Sequence, residues 1–151
     1  MTEENISQSP KNPEIPAVVP MTEAQERNLA MWAHLSILLN LFTGWLGLIP
    51  PIIIYFEAKK RSSYLADQSL QALVFQLVFF FGGGLLAGTV WAMTGVLSLL
   101  LVGLLLVPLA LLVSLIPLAS CAYAIKAAID SNHGEDFQYW LVGGWVRSSK
   151  N

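Results

Sequence analysis

Histidine and cysteine are the side chains best suited to metal binding or nucleophilic chemistry, and this sequence has few of them. There are two histidines, His34 and His133, and one cysteine, Cys121. Neither histidine has a second histidine or a carboxylate at a convincing metal-site spacing. One cysteine forms neither an intrachain disulfide nor a thiolate cluster. The sequence also lacks a GxSxG motif and a phosphate-binding loop. We therefore expect no enzyme, no cofactor and no metal.

Few polar side chains stand in the apolar segments: His34, Ser36, Asn40, Gln76 and Ser114. Three of them, Ser36, Asn40 and Gln76, are candidates for a shared role. Ser36 and Asn40 are one helical turn apart and share a helix face. In a membrane, such side chains hydrogen-bond a neighbouring helix. The alternative is that the three line a solute path, as in a small channel or facilitator. No Asp, Glu, Lys or Arg accompanies them, which argues against an ion-driven transporter.

Small residues recur at four-residue spacing in two places. Gly84 and Gly88 form a GxxxG pair, and Ser120, Ala124 and Ala128 form a second stripe. Small residues at this spacing let two helix backbones approach closely. We expect both stripes to pack helices within the chain, and an interface between copies is the alternative.

The elements that must position these side chains are membrane-spanning helices. Asp, Glu, Lys and Arg make up only 12% of the chain, and none occurs in residues 28–56 or 68–125. Charge-free apolar runs above about 18 residues are typical of transmembrane helices. The core helix of a soluble protein is the alternative, but a chain of 151 residues has too little polar surface to cover such a core. The sequence therefore predicts an integral membrane protein in contact with the lipid bilayer.

Composition divides the chain into three parts. Residues 1–20 are polar and proline-rich, so we expect a disordered N-terminal tail. Residues 21–130 form the predicted transmembrane helical domain. Residues 131–151 form a predicted cytoplasmic segment at the membrane interface, where aromatic side chains meet lipid headgroups. The aromatic residues of that segment are Phe137, Tyr139, Trp140 and Trp145.

The fold class predicted is all-α, a polytopic transmembrane bundle of four helices. A break at residues 43–44 and two prolines at residues 50–51 divide residues 22–56 into a short hairpin. One kinked span is the alternative there, because each arm holds about a dozen apolar residues and falls short of a hydrocarbon core of about 30 Å. Two long helices follow in residues 69–129, with a turn near residues 93–95. Three spans in that region are the weaker alternative.

The basic residues predict the orientation. Lys59, Lys60 and Arg61 form the densest basic cluster, and loops with such clusters face the cytoplasm. A hairpin before this loop and two spans after it place both termini and all eight basic residues in the cytoplasm, whereas the single-span alternative leaves Arg27 outside. We therefore predict a multi-pass protein of the cell (inner) membrane. The net charge of −2 argues against a nucleic-acid partner.

Three segments in order carry a family resemblance: residues 26–36 (ERNLAMWAHLS), residues 67–77 (DQSLQALVFQL) and residues 124–140 (AIKAAIDSNHGEDFQYW). Together they resemble the small bacterial membrane proteins of the domain-of-unknown-function family grouped with the twenty-kilodalton Tic channel subunit of the chloroplast inner envelope. The resemblance covers nearly everything after the N-terminal tail. It implies four helices with cytoplasmic termini and a link to protein translocation or membrane assembly. Where that family often has a histidine before the LQAL-like run, this chain has Gln68.

Packing motifs without catalytic or ion-coupling residues predict a non-enzymatic membrane protein. We expect it to act as a scaffold or as a subunit of a membrane assembly, with a second copy or other membrane proteins as partners. A small channel or facilitator without ion-coupling residues is the alternative function.

Overall fold

The computed structural model describes residues 20–148, so the predicted N-terminal tail lies outside the described residues except for Pro20. The α-helices are α1 (Glu23–Leu35), α2 (Ile37–Thr43), α3 (Ile49–Ala58), α4 (Ser63–Phe75), α5 (Gly83–Ser98), α6 (Val107–Asn132) and α7 (Val142–Ser148). Short 3-10 segments, Leu46–Leu48 and Val102–Leu106, precede α3 and α6, and a π-helical segment, Gln76–Gly82, joins α4 to α5. No strand occurs within the described part of the chain.

Within residues 20–148 these segments line up as five helical rods: α1 with α2, α3 with the 3-10 segment before it, α4 with α5, α6 with the 3-10 segment before it, and α7. The predicted count of four helices is therefore not confirmed. Two rods, Ser63–Ser98 and Val102–Asn132, are long and apolar enough to cross a membrane. The additional rod is α7, whose adjacent glycines are weak helix formers. It forms because Val142 and Val146 are buried in the main core of the protein.

The two long rods expose most of their apolar surface. Their most apolar windows are only 22% and 11% buried inside the chain. A core helix of a soluble protein is covered by its neighbours, and soluble proteins rarely expose large contiguous apolar patches. The exposure therefore favours rods that face lipid.

The first two rods form a hairpin around Gly44. Its φ of 82° lies in the left-handed region, which glycine adopts without steric cost. The hairpin brings α1 beside α3, and Ala30 and Ala58 share a buried cluster with Leu65. The chain therefore reverses direction rather than continuing as one kinked span. Pro50 lies in the first turn of α3, where a missing N–H removes no helical hydrogen bond.

The turn between the long rods lies at residues 99–101, so the prediction of a turn at residues 93–95 is wrong. The turn includes Leu101 at φ 60°, an unusual conformation for leucine. The chain after it packs tightly on the end of α5, since a Cβ on Gly103 would lie 2.3 Å from the Thr94 carbonyl oxygen. This contact positions the turn, and the glycine that suggested an earlier turn lies within the helix.

Side-chain caps determine where α1 and α4 begin. Thr22 Oγ1 accepts the Gln25 backbone N–H, and the Gln25 side chain accepts the Thr22 backbone N–H in return, forming a capping box. Ser62 Oγ accepts the Leu65 N–H at 3.1 Å. The two capped helices pack against each other, and α1 also packs against α6. The polar residues of α1 and α4 therefore meet in the interior.

Candidate functional site

The three polar residues identified in the sequence meet inside the protein. Gln76 Nε2 donates to the Ser36 hydroxyl at 3.0 Å, and Asn40 Nδ2 donates to Gln76 Oε1 at 3.0 Å. Asn40 Oδ1 accepts the Gly47 backbone N–H at 2.8 Å. Each of the three side chains is at most 4% exposed. The expected hydrogen bonds between helices are present, and this Asn40 cluster (Ser36, Asn40, Gly47 and Gln76) joins both arms of the hairpin to the α4–α5 rod.

Close backbone contact lets Asn40 reach the second arm of the hairpin. A Cβ on Gly47 would lie 2.2 Å from the Ser36 carbonyl oxygen and 2.7 Å from Asn40 Oδ1, so only glycine fits. Gln76, on the opposite side, is the first residue of the π-helical segment. π-Helical segments are rare in proteins, and those that do occur often lie at functional sites.

A second buried cluster centres on His34, which is 1% exposed. Its Nδ1 lies 3.1 Å from the Tyr139 hydroxyl, and its Nε2 lies 3.0 Å from Gln68 Oε1. Gln68 Nε2 donates to the Phe137 carbonyl oxygen at 3.0 Å and to Asp136 Oδ1 at 3.2 Å. This His34 cluster (His34, Gln68, Asp136, Phe137 and Tyr139) joins α1, α4 and the segment that follows α6.

The partners of Gln68 decide which nitrogen of His34 carries the proton. Both partners of Gln68 Nε2 are acceptor oxygens, so the amide nitrogen faces them and Oε1 faces the imidazole. His34 Nε2 must then donate its hydrogen bond, which leaves Nδ1 to accept the hydrogen bond of the Tyr139 hydroxyl. Burial raises the pKa of Tyr139 well above its usual value. The hydroxyl therefore stays protonated and donates the hydrogen bond to Nδ1. The hydrogen bonds therefore define a neutral His34 protonated on Nε2.

A histidine with both ring nitrogens engaged is suited to holding helices together. Within residues 20–148, no group of three or more His, Cys, Asp or Glu side chains is placed to hold a metal ion. Asp136, the carboxylate of the His34 cluster, also forms an ion pair with Arg147. The arrangement fixes the hairpin, α4 and the C-terminal segment relative to one another.

The aromatic residues of the C-terminal segment divide into two groups. Tyr139 stacks on Phe75, with ring centroids 3.8 Å apart and planes 9° from parallel. Phe137 is 9% exposed and Tyr139 1%, so the prediction that these two lie at the lipid interface is wrong. Their hydrogen bonds and ring contacts hold them in the core instead. Trp140 and Trp145 are exposed and have the surface that an interfacial anchor needs.

The two stripes of small residues face in different directions. Ser120, Ala124 and Ala128 are buried, as expected for packing within the chain. Gly84 and Gly88 are exposed, and nothing lies within 4 Å of a Cβ built on either. Their predicted packing within the chain is therefore wrong.

The glycine that packs the long rods together is Gly83. A Cβ on it would lie 2.7 Å from Ile116 Cγ2 and 3.5 Å from Pro117 Cδ. The close approach of α5 to α6 therefore uses the residue next to the GxxxG pair, which turns Gly84 away from α6.

The basic cluster forms the predicted loop between α3 and α4. Lys59, Lys60 and Arg61 are all exposed. The Lys59 ammonium lies 4.6 Å from the centre of the Phe56 ring, a cation–π contact at the end of α3. The side of the membrane that this loop faces remains a prediction.

Sequence reasoning missed most of the His34 cluster. A usable signal was the recurrence of glutamine in an apolar helix, at Gln68, Gln71 and Gln76. All three are buried, and Gln71 Oε1 accepts the Tyr139 backbone N–H at 3.3 Å. Amides at intervals of three to five residues in such a helix indicate a polar face turned towards other helices.

The fold and these clusters define a helical membrane protein whose buried polar residues bind its helices to one another. The family model described as the magnetosome magnetite crystal formation protein family (MamF/MmsF) matches residues 25–146, and the chain belongs to this family. The match includes both polar clusters and both long rods. No curated protein and no solved structure matches the chain. The comparisons give no support to the resemblance to the Tic subunit, to translocon or channel activity, or to the plasma membrane as location.

Proposed function

We propose that the chain is a multi-pass protein of the magnetosome membrane that takes part in magnetite crystal formation through helix contacts, without catalysing a reaction. Its partners are a second copy of the chain or other membrane proteins. The family supports the process. The two polar clusters support a non-enzymatic role, because their hydrogen bonds are made within the chain.

The observation that carries this proposal is the outward face of α5. Gly84 and Gly88 leave helix backbone uncovered on a rod that is long enough to span the membrane. Gly95 lies on the same side, since eleven residues are close to three full turns, and it also has no neighbour within 4 Å of a built Cβ. A strip of glycine lets another helix approach closely, and lipid chains gain little from such a strip. We infer that a partner helix packs there.

The test adds bulk to this face. Gly84→Leu combined with Gly88→Leu should reduce the assembly recovered in mild detergent, measured by crosslinking and native mass spectrometry. The matched control is Gly82→Leu, because Gly82 is exposed on the other side of the rod and its Cβ would meet only ordinary contact at 3.6 Å from the Leu77 carbonyl oxygen.

The same variants connect the contact to crystal formation. In cells whose own copy is replaced, the double variant should change the size or number of magnetite crystals seen by electron microscopy. The control variant should match the wild type. An unchanged assembly together with unchanged crystals in the double variant would contradict the proposal.

The proposed topology has four crossings and both termini in the cytoplasm. Cys121 is buried and can be replaced by alanine to give a cysteine-free background. In sealed vesicles whose cytoplasmic side faces outward, Lys60→Cys and Ser148→Cys should react with an impermeant maleimide. Leu100→Cys, in the turn between the long rods, should react only after permeabilisation. The reverse pattern would exclude this topology.

A channel or facilitator was the alternative function. Its path needs polar groups that face a lumen. Asn40 and Gln76 are instead buried and bonded to each other. No observation therefore favours a channel over a protein that acts through helix contacts.

A further inference from the structure

The two helical hairpins of the protein differ in apolar length by about 15 Å. The first hairpin turns at Gly44, and its arms carry no charge over residues 28–42 and 45–56. At about 1.5 Å of rise per residue, these runs are about 22 Å and about 18 Å long. The second hairpin consists of the two long rods, and its shorter charge-free run, residues 102–125, is about 36 Å long. The first hairpin therefore presents a much thinner apolar belt to lipid.

The first hairpin is short for the bilayer that it crosses in the proposed topology. A hydrocarbon core is about 30 Å thick, so its arms fall about 10 Å short, whereas the long rods match the core when they tilt. Basic side chains that flank a short span relieve such a mismatch by reaching the headgroups. Arg27 and Lys59 flank the arms at one end, but the turn at the other end consists of Thr43 and Gly44. The shortfall therefore remains at the turn.

Hydrogen bonds prevent the first hairpin from adjusting by itself. Asn40 Nδ2 donates to Gln76 Oε1 at 3.0 Å, and His34 Nε2 lies 3.0 Å from Gln68 Oε1. These four side chains are buried, and they join the hairpin to the α4–α5 rod at two depths. The hairpin therefore neither slides along the long rods nor tilts independently of them, and the lipid must adapt to it.

The outer surface of the first hairpin is suited to contact with acyl chains. Phe42, Ile53 and Phe56 are large, apolar and exposed. Trp45, beside the turn, is exposed as well, and tryptophan is enriched where headgroups meet acyl chains. Headgroups at the depth of Trp45 bring the bilayer surface to the turn of the short hairpin.

We propose that the first hairpin thins the bilayer on its side of the protein and gathers phospholipids with short acyl chains there. Lipids with longer chains surround α5 and α6. This inference rests on the four crossings of the proposed topology. It does not depend on the role proposed for the glycine face of α5.

The experiment uses the full chain in bilayers that mix a short-chain and a long-chain lipid, dimyristoleoyl- and dierucoyl-phosphatidylcholine. Each lipid in turn is brominated on its acyl chains, because bromine quenches the fluorescence of a tryptophan that the lipid contacts. The chain has five tryptophans, and all of them are exposed, so replacement by phenylalanine leaves the core intact. One variant keeps only Trp45, and the other keeps only Trp91.

Trp91 is the matched control, because it is exposed on α5, which belongs to a long rod. We expect the short-chain lipid to be enriched at Trp45 over Trp91 by about two- to fivefold, because each ångström of mismatch has a modest cost. Helical content measured by circular dichroism shows that both variants are folded. Equal enrichment at the two tryptophans would overturn the proposal.

A cysteine at the turn separates that result from a failure of the topology. In the cysteine-free background and in sealed vesicles whose cytoplasmic side faces outward, Thr43→Cys should react with the impermeant maleimide only after permeabilisation. No reaction on either side would mean that the hairpin ends within the bilayer, and the four crossings and the thinning would both be rejected. Reaction after permeabilisation together with equal enrichment would reject the thinning alone.

Discussion

Replacing Asn40 with leucine tests whether the Asn40 cluster holds the hairpin against the α4–α5 rod. The side chain is 3% exposed, so water does not replace its partners. Leucine has a similar shape but leaves the Gly47 N–H and Gln76 Oε1 without the hydrogen bonds they have in the wild type. A buried donor or acceptor left unsatisfied costs about 1–3 kcal/mol. With two such groups, we expect the free energy of unfolding to fall by about 2–6 kcal/mol.

A double-mutant cycle isolates the bond between Asn40 and Gln76. The variants are Asn40→Leu, Gln76→Leu and the two combined, and unfolding in mixed micelles is followed by tryptophan fluorescence and circular dichroism. Hydrogen bonds between membrane helices give coupling energies of about 0.6–1.7 kcal/mol, so the double variant should lose about 1 kcal/mol less than the sum of the single losses.

The control for this cycle is Thr89→Val. Thr89 is exposed, and its hydroxyl donates to the Leu85 carbonyl oxygen of its own helix. Its replacement should therefore leave the unfolding free energy nearly unchanged. Additive losses for Asn40 and Gln76, with no coupling energy, would refute the reasoning that the two amides bond in the membrane-embedded fold.

Two further predictions use the same unfolding assay. Gly83→Ala should lower the unfolding free energy of the monomer by about 1–3 kcal/mol through overpacking against Ile116. Gly84→Ala should raise it by up to about 1 kcal/mol, because no described atom of the chain itself faces Gly84 and alanine favours the helix. Equal effects at the two glycines would contradict the assigned faces of α5. Tyr139→Phe should lower the unfolding free energy by about 1 kcal/mol, because it keeps the ring but removes the hydroxyl that donates a hydrogen bond to His34 Nδ1. A neutral outcome would mean that this hydrogen bond adds no stability.

The membrane class and the first hairpin follow from local features of the sequence. The absence of charge from residues 28–56 and 68–125 identifies apolar helices whatever their packing, because a charged side chain in lipid is costly. Gly44 marks the reversal because glycine adopts a positive φ freely. The bonding of Ser36 and Asn40 to another helix was predictable for a similar reason, since polar groups in an apolar setting must find partners.

The tertiary structure alone decided which faces turn inward. The α5 helix is apolar all around, so its sequence carries no periodic signal to distinguish Gly83, which packs against α6, from Gly84, which faces outward. For a related reason the sequence did not predict α7. Its glycines disfavour a helix, and the helix is stabilised only when Val142 is buried in the core. His34 is the clearest case. Its partners Gln68 and Tyr139 are 34 and 105 residues away in the chain, and only the packing of α1 against α4 and the C-terminal segment brings those groups within hydrogen-bonding distance.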